Sequence, residues 1–372
     1  MNRIRQPMSM IGAKEMCYAC LRRCRPVAMT CRSLALISAA LYLVSVMNTA
    51  SADEWGPMQL LGREIAVGTS ERFPFIPDRT FEASYLNMPV FVARGAAKGP
   101  TLCIAAGVHG DELNGVEIAR RAFSKIDAGS LRGTVIALPA INAEGVRAGN
   151  RYLSDRRDLN RAFPGSAGGS VARLIAYKVF TEVLVHCDAL VDLHTASNDR
   201  TNLPQIRADI SDPAIRELAI HFGTGIVIAG EGPDGSLRRE AAKAGIPSII
   251  YEAGAPHRFQ EEEITRGVAG IDNVMAYLGM TDRPEKEVPD SRVYERSRWV
   301  RVIRQSGGFF FPDASLGTTV KAGEVLGKIV DPLTDEVHTV VSSVNGEIIG
   351  MAFSRPVLSG YALYHIAWHV DE

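Results

Sequence analysis

The sequence predicts an α/β domain built on a mainly parallel sheet, followed by a small all-β domain at the C-terminal end. Between residues 90 and 255, short apolar runs alternate with stretches of helical periodicity. Several of these runs are apolar at successive positions, which is typical of strands buried on both faces of a sheet. Beyond residue 281 the helical stretches stop, and short β-rich runs separated by glycine follow.

The elements of the α/β part follow one another in a regular order. Strands are predicted over 89–92, 101–106, 133–138, 189–193 and 247–251, and helices over 115–124 and 171–184. Because ligands of such sheets gather at the carboxyl ends of the strands, the polar residues after each apolar run are the candidates for function. We expect this catalytic domain to span residues 53–280.

The C-terminal part is predicted to begin after a polar linker over 281–297 that contains Pro284 and Pro289. The β-rich domain over 298–372 resembles the barrel-sandwich of biotinyl and lipoyl carrier domains. Such carriers present a lysine at a hairpin tip, but the matching stretch here, 343–346, has none. We therefore expect a packing or lid domain and not a carrier.

Composition excludes two classes of protein. With 46% hydrophobic and 22% charged residues among 372, the chain has enough apolar material for a packed core, so disorder is not its dominant state. Lys and Arg total 41 against 42 for Asp and Glu, which leaves no basic surplus for nucleic acid. The first 52 residues hold seven of the bases and one acid, so the remainder is acidic.

The first 52 residues resemble an export signal. A basic stretch precedes an uncharged apolar run over 34–47, which is shorter than the roughly 20 residues that a spanning helix needs. Ala50-Ser51-Ala52 then matches a signal-peptidase site, so we expect cleavage after Ala52 and export to the periplasm. An uncleaved anchor helix and a true start at Met29 are the alternatives.

Only two of the six cysteines, Cys103 and Cys187, lie beyond this leader. Each sits inside an apolar segment, so we expect buried free thiols, with a single disulfide as the alternative.

Three residues at predicted strand ends suggest a metal site. His109 and Glu112 are three apart on a loop that enters a helix, and His194 closes another apolar run. Two histidines and a glutamate form a typical catalytic zinc set with an open fourth position. Either Asp192 or Asp111 could accept the second N–H of a ligating histidine. Alone, each motif is common, and Glu112 could simply serve the helix N-terminus.

Four ordered blocks carry a family resemblance. Between about residues 85 and 370, the chain resembles the succinylglutamate desuccinylase/aspartoacylase family, a branch of the zinc carboxypeptidase superfamily. The blocks are Gly107-Val-His109-Gly-Asp-Glu112, Arg151 with Asp158-Leu-Asn160-Arg161-Ala-Phe-Pro-Gly165, Asp192-Leu-His194-Thr195 and Tyr251-Glu252-Ala-Gly254.

The resemblance implies a zinc-carboxypeptidase-like fold and one zinc ion per chain, held by His109, Glu112 and His194. It also implies that Glu252 takes a proton from water and passes it to the leaving nitrogen. The residues agree with this role, since Glu252 follows an apolar strand and should emerge at the same sheet edge as the metal.

The arginines are assigned by the same resemblance. Asn160 and Arg161 match the pair that binds a substrate carboxylate, for which a guanidinium fork is well suited. Arg151 is our choice for the residue that polarises the scissile carbonyl, but Arg156 and Arg157 lie in the same loop.

A further arginine is expected on the helix before the glutamate strand, where the family has a cation able to meet the acyl end of the substrate. Arg238 is preferred there over Arg239. The tail domain of the family narrows access to the zinc, which restricts substrates to small ones.

We therefore expect an exported zinc-dependent amidohydrolase that acts on a carbon–nitrogen bond other than a peptide bond and deacylates a small, carboxylate-bearing N-acyl amino acid or related amide. One rival is an exported zinc carboxypeptidase acting on peptides or cell-wall stems. Another is a binding protein without catalysis, which has no need of Glu252. No stable membrane span is expected after cleavage, and homo-oligomerisation is left open.

Overall fold

One mixed sheet of thirteen strands runs through the part of the chain that the computed structural model describes, which is residues 55–77, 87–283, 290–304 and 306–370. These residues belong to a unit that spans Asp53–Glu372. The predicted signal segment, with its apolar run and its cleavage site at Ala52, lies outside the described residues.

The strands are numbered in chain order. They are β1 (Met58–Leu60), β2 (Arg63–Ile65), β3 (Thr69–Phe75), β4 (Met88–Arg94), β5 (Ala97–Ala106), β6 (Arg132–Leu138), β7 (Ala189–His194), β8 (Arg200–Ala208), β9 (Ile226–Ala229), β10 (Ser248–Gly254), β11 (Arg292–Tyr294), β12 (Arg296–Arg301), β13 (Gly308–Pro312), β14 (Thr319–Val320), β15 (Val325–Val330), β16 (Val337–Val341), β17 (Gly346–Ala352), β18 (Arg355–Val357) and β19 (Ala362–Trp368).

The helices connect the strands of the α/β part. They are α1 (Leu113–Ser124), α2 (Ala143–Ala148), α3 (Val171–Glu182), α4 (Pro213–Phe222), α5 (Leu237–Lys243) and α6 (Glu261–Tyr277), with short 3₁₀ turns at Leu159–Arg161 and Leu184–His186. Within the described ranges, no helix has the length and apolar character needed to span a membrane.

The ends of α4 show how the sequence sets a helix boundary. The side chain of Asp212 accepts the backbone N–H groups of Ala214 and Ile215, and Pro213 occupies the first turn. Gly223 ends the helix with a φ of 84°, a conformation that glycine adopts without a steric penalty.

The sheet has a parallel centre and antiparallel flanks. Its main order is β12-β19-β17-β8-β10-β7-β5-β6-β4-β3, and β10, β7, β5 and β6 are mutually parallel. The five predicted strands of the α/β part correspond to β4, β5, β6, β7 and β10. The predicted α/β fold with a mainly parallel mixed sheet at its centre and a β-rich C-terminal part is confirmed.

The position of strand β7 between two hydrophobic clusters explains why its sequence is apolar at successive positions. Val191 and Leu193 belong to a hydrophobic cluster with α1, α4 and α6, whereas Leu190 belongs to the cluster on the other face with α3 and α5. Because successive side chains of a strand alternate between faces, both faces of β7 are buried. Asp192 and His194 share the face of Leu190, and His194 ends the strand at the edge of the sheet.

The C-terminal strands divide between two sheets. Strands β16, β15, β13 and β18 form an antiparallel sheet of their own, whereas β12, β17 and β19 continue the main sheet through the pairing of β17 with β8. Inside the predicted linker, β11 pairs in parallel with β9. The domain boundaries at 281 and 298 stay predictions.

Cys103 and Cys187 form a disulfide, with 5.7 Å between their Cα atoms. The expectation of free thiols is therefore wrong, and the alternative is correct. The reason lies in the sheet, because β5 and β7 are neighbours and the turn before β7 brings Cys187 beside β5.

Helix α1 packs closely on β7 at Gly115. A Cβ atom at this position would lie 2.7 Å from the Leu193 carbonyl oxygen and 2.9 Å from its Cβ. We predict that Gly115→Ala lowers the free energy of unfolding by about 1–3 kcal/mol through overpacking, although alanine is the better helix former. Gly168→Ala, which meets open space, should change it by less than about 0.5 kcal/mol. Urea unfolding measures both, and equal stabilities would contradict the close packing.

Candidate functional site

A cavity of about 330 Å³ opens at the carboxyl ends of the central parallel strands. The ends of β7 and β10, the loop after β5, α5, and strands β8, β12 and β19 all contribute to its walls. In open α/β sheets this edge is where ligands bind, because connecting loops and strand ends converge there.

His109, Glu112 and His194 come together at this edge. Their ligand atoms all lie within 4.8 Å of one another, and all three side chains are buried. Glu112 Oε1 lies 2.8 Å from His109 Nδ1, and Glu112 Oε2 lies 2.7 Å from His194 Nδ1. The carboxylate does not cap α1, although Glu112 occupies the position before the helix. The three residues identified in the sequence thus form one cluster.

Each histidine has a second carboxylate at its other ring nitrogen. Asp192, one of the two candidates identified in the sequence, places its Oδ2 atom 3.0 Å from His194 Nε2. The partner of His109 is Asp158, at 3.2 Å from Nε2, and not Asp111, whose carboxylate lies 4.0 Å from His257. Such outer carboxylates fix the tautomer and orientation of metal-binding histidines.

The electrostatics of the cluster favour a cation. Burial would raise the pKa of Glu112, but the two imidazoles outweigh burial and hold it well below its ordinary range. Burial would lower the pKa of His194, but Asp192 and Glu112 raise it well above its usual value. A buried set of two imidazoles and a carboxylate, backed by two more carboxylates, fits a divalent metal ion.

Glu252 lies beside the cluster on the next strand. The parallel register of β10 and β7 pairs Glu252 directly with His194, and the Glu252 residue is 9% exposed. Its two oxygens contact β8: Oε2 accepts from Asn202 Nδ2 at 2.9 Å, and Oε1 lies 3.1 Å from Arg207 Nη1. The carboxylate is therefore held in one orientation beside a positive charge.

Among the three arginines proposed for the carbonyl, Arg151 is the one whose side chain reaches the cavity. Its Nη1 donates to Glu112 Oε1 at 3.0 Å, and its Nη2 donates to Asp158 Oδ2 at 3.1 Å. Arg157 instead pairs with Asp155 on the exposed loop. Arg156, with a φ of 62°, does not line the cavity.

Asn160 and Arg161, the pair predicted to bind a substrate carboxylate, also line the cavity. The Asn160 Oδ1 atom accepts the backbone N–H of Leu237 at 2.8 Å, which fixes the amide and leaves its Nδ2 group to serve as the donor. Arg161 Nη1 donates to the Asn160 carbonyl at 2.6 Å. Asp158 accepts the Asn160 N–H at 2.9 Å, so one turn positions three site residues.

Arg238 faces the cavity and Arg239 does not. Arg238 is 4% exposed, its Nη1 donates to the Gly230 carbonyl at 2.8 Å, and its Nε has no partner among the described residues. Burial, followed by the nearby Arg207, lowers the pKa of Arg238 to about 10. Arg239 turns outward to Glu231 and Asp234.

Part of the site lies on β8 and on the C-terminal strands, where the sequence did not predict it. Polar residues at intervals of two or three along 200–207 are a weak indication of the strand β8. No local sequence pattern predicts that the C-terminal strands contribute residues to the cavity. The missed residues are Arg200, Asn202, Arg207, Trp299 and His365.

Comparisons with known proteins agree with this geometry. The sequence profile of the succinylglutamate desuccinylase/aspartoacylase catalytic domain matches residues 98–278. The chain is 28% identical to the N-alpha-acetyl-L-2,4-diaminobutyric acid deacetylase of Halomonas elongata, in an alignment that covers 82% of this chain and 94% of that protein. It is 32% identical to the succinylglutamate desuccinylase of Pseudomonas aeruginosa, over 26% of this chain and 32% of the other.

Solved structures share the fold. A succinylglutamate desuccinylase/aspartoacylase from Rhodobacter sphaeroides superposes with a TM-score of 0.74 at 24% identity, covering 83% of this chain and 99% of the other. The product-bound ectoine utilization protein EutE (DoeB) from Ruegeria pomeroyi gives a TM-score of 0.74 at 20% identity, covering 84% and 98%. With its four sequence blocks gathered in one cavity, the segment over residues 98–278 belongs to the succinylglutamate desuccinylase/aspartoacylase catalytic domain family.

Proposed function

We propose that the protein is a zinc-dependent hydrolase that removes a small acyl group from an N-acyl amino acid or a related small amide. The observation that carries this proposal is the pairing of Glu252 with His194 in register, which sets a second carboxylate beside the metal-type cluster. Similarity to two relatives, a deacetylase and a desuccinylase, supports the reaction type.

His109, Glu112 and His194 would hold the zinc ion, with Asp158 and Asp192 orienting the two histidines. When bound, zinc supplies a Lewis acid that polarises a carbonyl and lowers the pKa of water. The protein residues around it would then bind the substrate and move the proton.

Glu252 would act as the general base and acid. Its carboxylate would accept a proton from the attacking water and return it to the nitrogen of the leaving amine. Asn202 and Arg207 hold both of its oxygens, so the carboxylate has a fixed position from which to move the proton.

Arg151 would stabilise the negative charge that develops on the carbonyl oxygen. Its guanidinium is already fixed by Glu112 and Asp158, so little reorganisation is needed as the charge forms. Asn160 Nδ2 and the Arg161 guanidinium would bind the carboxylate of the amino acid.

The cavity favours a deacylase over the alternative, an exported carboxypeptidase. Strands β12 and β19 form one of its walls through Trp299 and His365, whereas a peptidase needs an open groove for the rest of its peptide. A binding protein without catalysis would have no use for a second carboxylate at the metal.

The first prediction concerns the metal. Purified protein should carry close to one zinc ion per chain by elemental analysis, and His194→Ala should lose most of it. Asp158→Asn, which disturbs the outer partner of His109, should weaken zinc affinity about 10–100-fold in a chelator competition. Asp155→Asn on the same loop is the control and should bind zinc normally. Full zinc occupancy in His194→Ala would contradict the ligand set.

The second prediction separates chemistry from metal binding. Glu252→Gln keeps the size of the side chain but cannot take a proton, so turnover should fall by a factor on the order of 10² or more while zinc content stays the same. Glu263→Gln, on helix α6, should leave turnover unchanged. Normal turnover in Glu252→Gln would make this residue structural.

The third prediction tests the substrate class. N-acetyl and N-succinyl amino acids should be cleaved with a higher kcat/KM than tri- and tetrapeptides with the same C-terminal residue, because the cavity is small and walled. If the longer peptides are cleaved at least tenfold better, the protein is a carboxypeptidase and the deacylase proposal is wrong.

A further inference from the structure

The antiparallel register of β8 divides the cavity into two ends. Along β10, Ile250 pairs with Arg207, Glu252 with Gln205, and Gly254 with Asn202. Arg207 therefore lies on the sheet side of Glu252, and the start of β8 lies on the outer side, towards the edge of the sheet. We call these the inner end and the outer end of the cavity.

The inner end contains the proposed carboxylate site. Leu237, which donates its N–H to Asn160 Oδ1, immediately precedes Arg238 in α5. Arg238 donates to the Gly230 carbonyl, and the Gly230 N–H donates to the carbonyl of Ala208, the residue after Arg207, which places both guanidinium groups at this end. An amino acid whose carboxylate is held by Asn160 and Arg161 would thus have its own side chain near Arg238.

The outer end is built from a row of residues across four strands. Asn202 on β8 pairs with Gly350 on β17, Gly350 with His365 on β19, and His365 with Trp299 on β12. The rings of Trp299 and His365 stack with 4.4 Å between their centroids and an interplanar angle of 8°. A Cβ atom on Gly350 would lie 2.5 Å from Asn202 Oδ1, which is too close for any side chain at this position. Glycine therefore allows Asn202 to stay where it donates to Glu252.

Arg200 occupies this outer end without an acidic partner. Its guanidinium carbon lies 5.1 Å from the Trp299 ring centroid and 5.6 Å from that of Tyr361, distances at which a cation is attracted to the ring face. No carboxylate of the described residues lies within 4.0 Å of it, and its side chain lines the cavity. The two rings thus hold a positive charge at the cavity wall.

The other ionisable ring of the outer wall, that of His365, is held neutral. Burial lowers the pKa of His365 well below its usual value, and the positive charges of Arg207 and Arg200 lower it further. His365 Nδ1 is buried and has no hydrogen-bond partner among the described residues. The charge offered to a ligand at this end therefore comes from Arg200.

We infer that Arg200, held between Trp299 and Tyr361, recognises the acyl end of the substrate and selects acyl groups that end in a carboxylate. This inference rests on the proposed function. With the amino acid at the inner end and the scissile bond beside Glu252, the acyl group extends towards the outer end. On this inference Arg238, expected from the family resemblance to meet the acyl group, would face the amino-acid side instead.

The test compares two substrates that differ by one charge. N-succinyl and N-succinamyl derivatives of the same amino acid have nearly the same shape, but only the first ends in a carboxylate. The wild-type enzyme should prefer the N-succinyl substrate by at least tenfold in kcat/KM. Arg200→Gln should reduce this preference to less than threefold, and Arg200→Lys should keep part of it.

Two further variants locate the effect. Arg301→Gln removes a nearby exposed charge that does not line the cavity, so it should retain the wild-type preference. Arg238→Gln should instead weaken the preference for N-acetylglutamate over N-acetylglutamine.

Calorimetric binding of the N-succinyl and N-succinamyl compounds to Glu252→Gln, with and without Arg200→Gln, measures the same discrimination without turnover.

The outcomes separate the two proposals. If the wild type cleaves the panel but shows no succinyl preference, or if Arg200→Gln keeps the preference, the inference is wrong. If Arg238→Gln removes the succinyl preference, the acyl group lies at the inner end and the inference is wrong. If no N-acyl amino acid is cleaved by the zinc-loaded wild type, the proposed function itself fails.

Discussion

The carboxylate of Glu112 joins the parts of the site. One oxygen lies 2.8 Å from His109 Nδ1, and the other lies 2.7 Å from His194 Nδ1 and accepts the backbone N–H of Thr195. Glu112 precedes α1 and His194 ends β7, so this contact holds the start of a helix against the end of a strand. The close approach needs Gly115, because any larger residue would meet Leu193.

Strand β8 extends the site from the central sheet to the C-terminal strands. Through Asn202 and Arg207 it holds Glu252, and through its pairing with β17 it brings Trp299 and His365 to the same cavity. Because these contacts belong to one continuous sheet, the C-terminal strands form part of the wall of the site. The strand that orients Glu252 therefore also positions the wall formed by Trp299 and His365.

The arginines of the cavity differ in whether a carboxylate of the protein pairs with them. Arg151 and Arg207 are paired with carboxylates of the protein. Within the described part of the chain, Arg161, Arg200 and Arg238 have no carboxylate within 4.0 Å, so their positive charge is available to a ligand. Their separate positions at the two ends of the cavity agree with the proposed substrate, which has a carboxylate at each end.

The sequence by itself determined the elements and residues that depend on local pattern. Apolar runs identified the central strands, and the blocks around His109, Glu112, His194 and Glu252 identified the cluster, because each block lies at the carboxyl end of a strand. Only the tertiary structure decided what depends on pairing between distant segments. It joined Cys103 to Cys187 and brought Trp299 and His365 to Arg200. No periodicity in the chain encodes such contacts, since they arise from the order and register of strands that lie far apart in sequence.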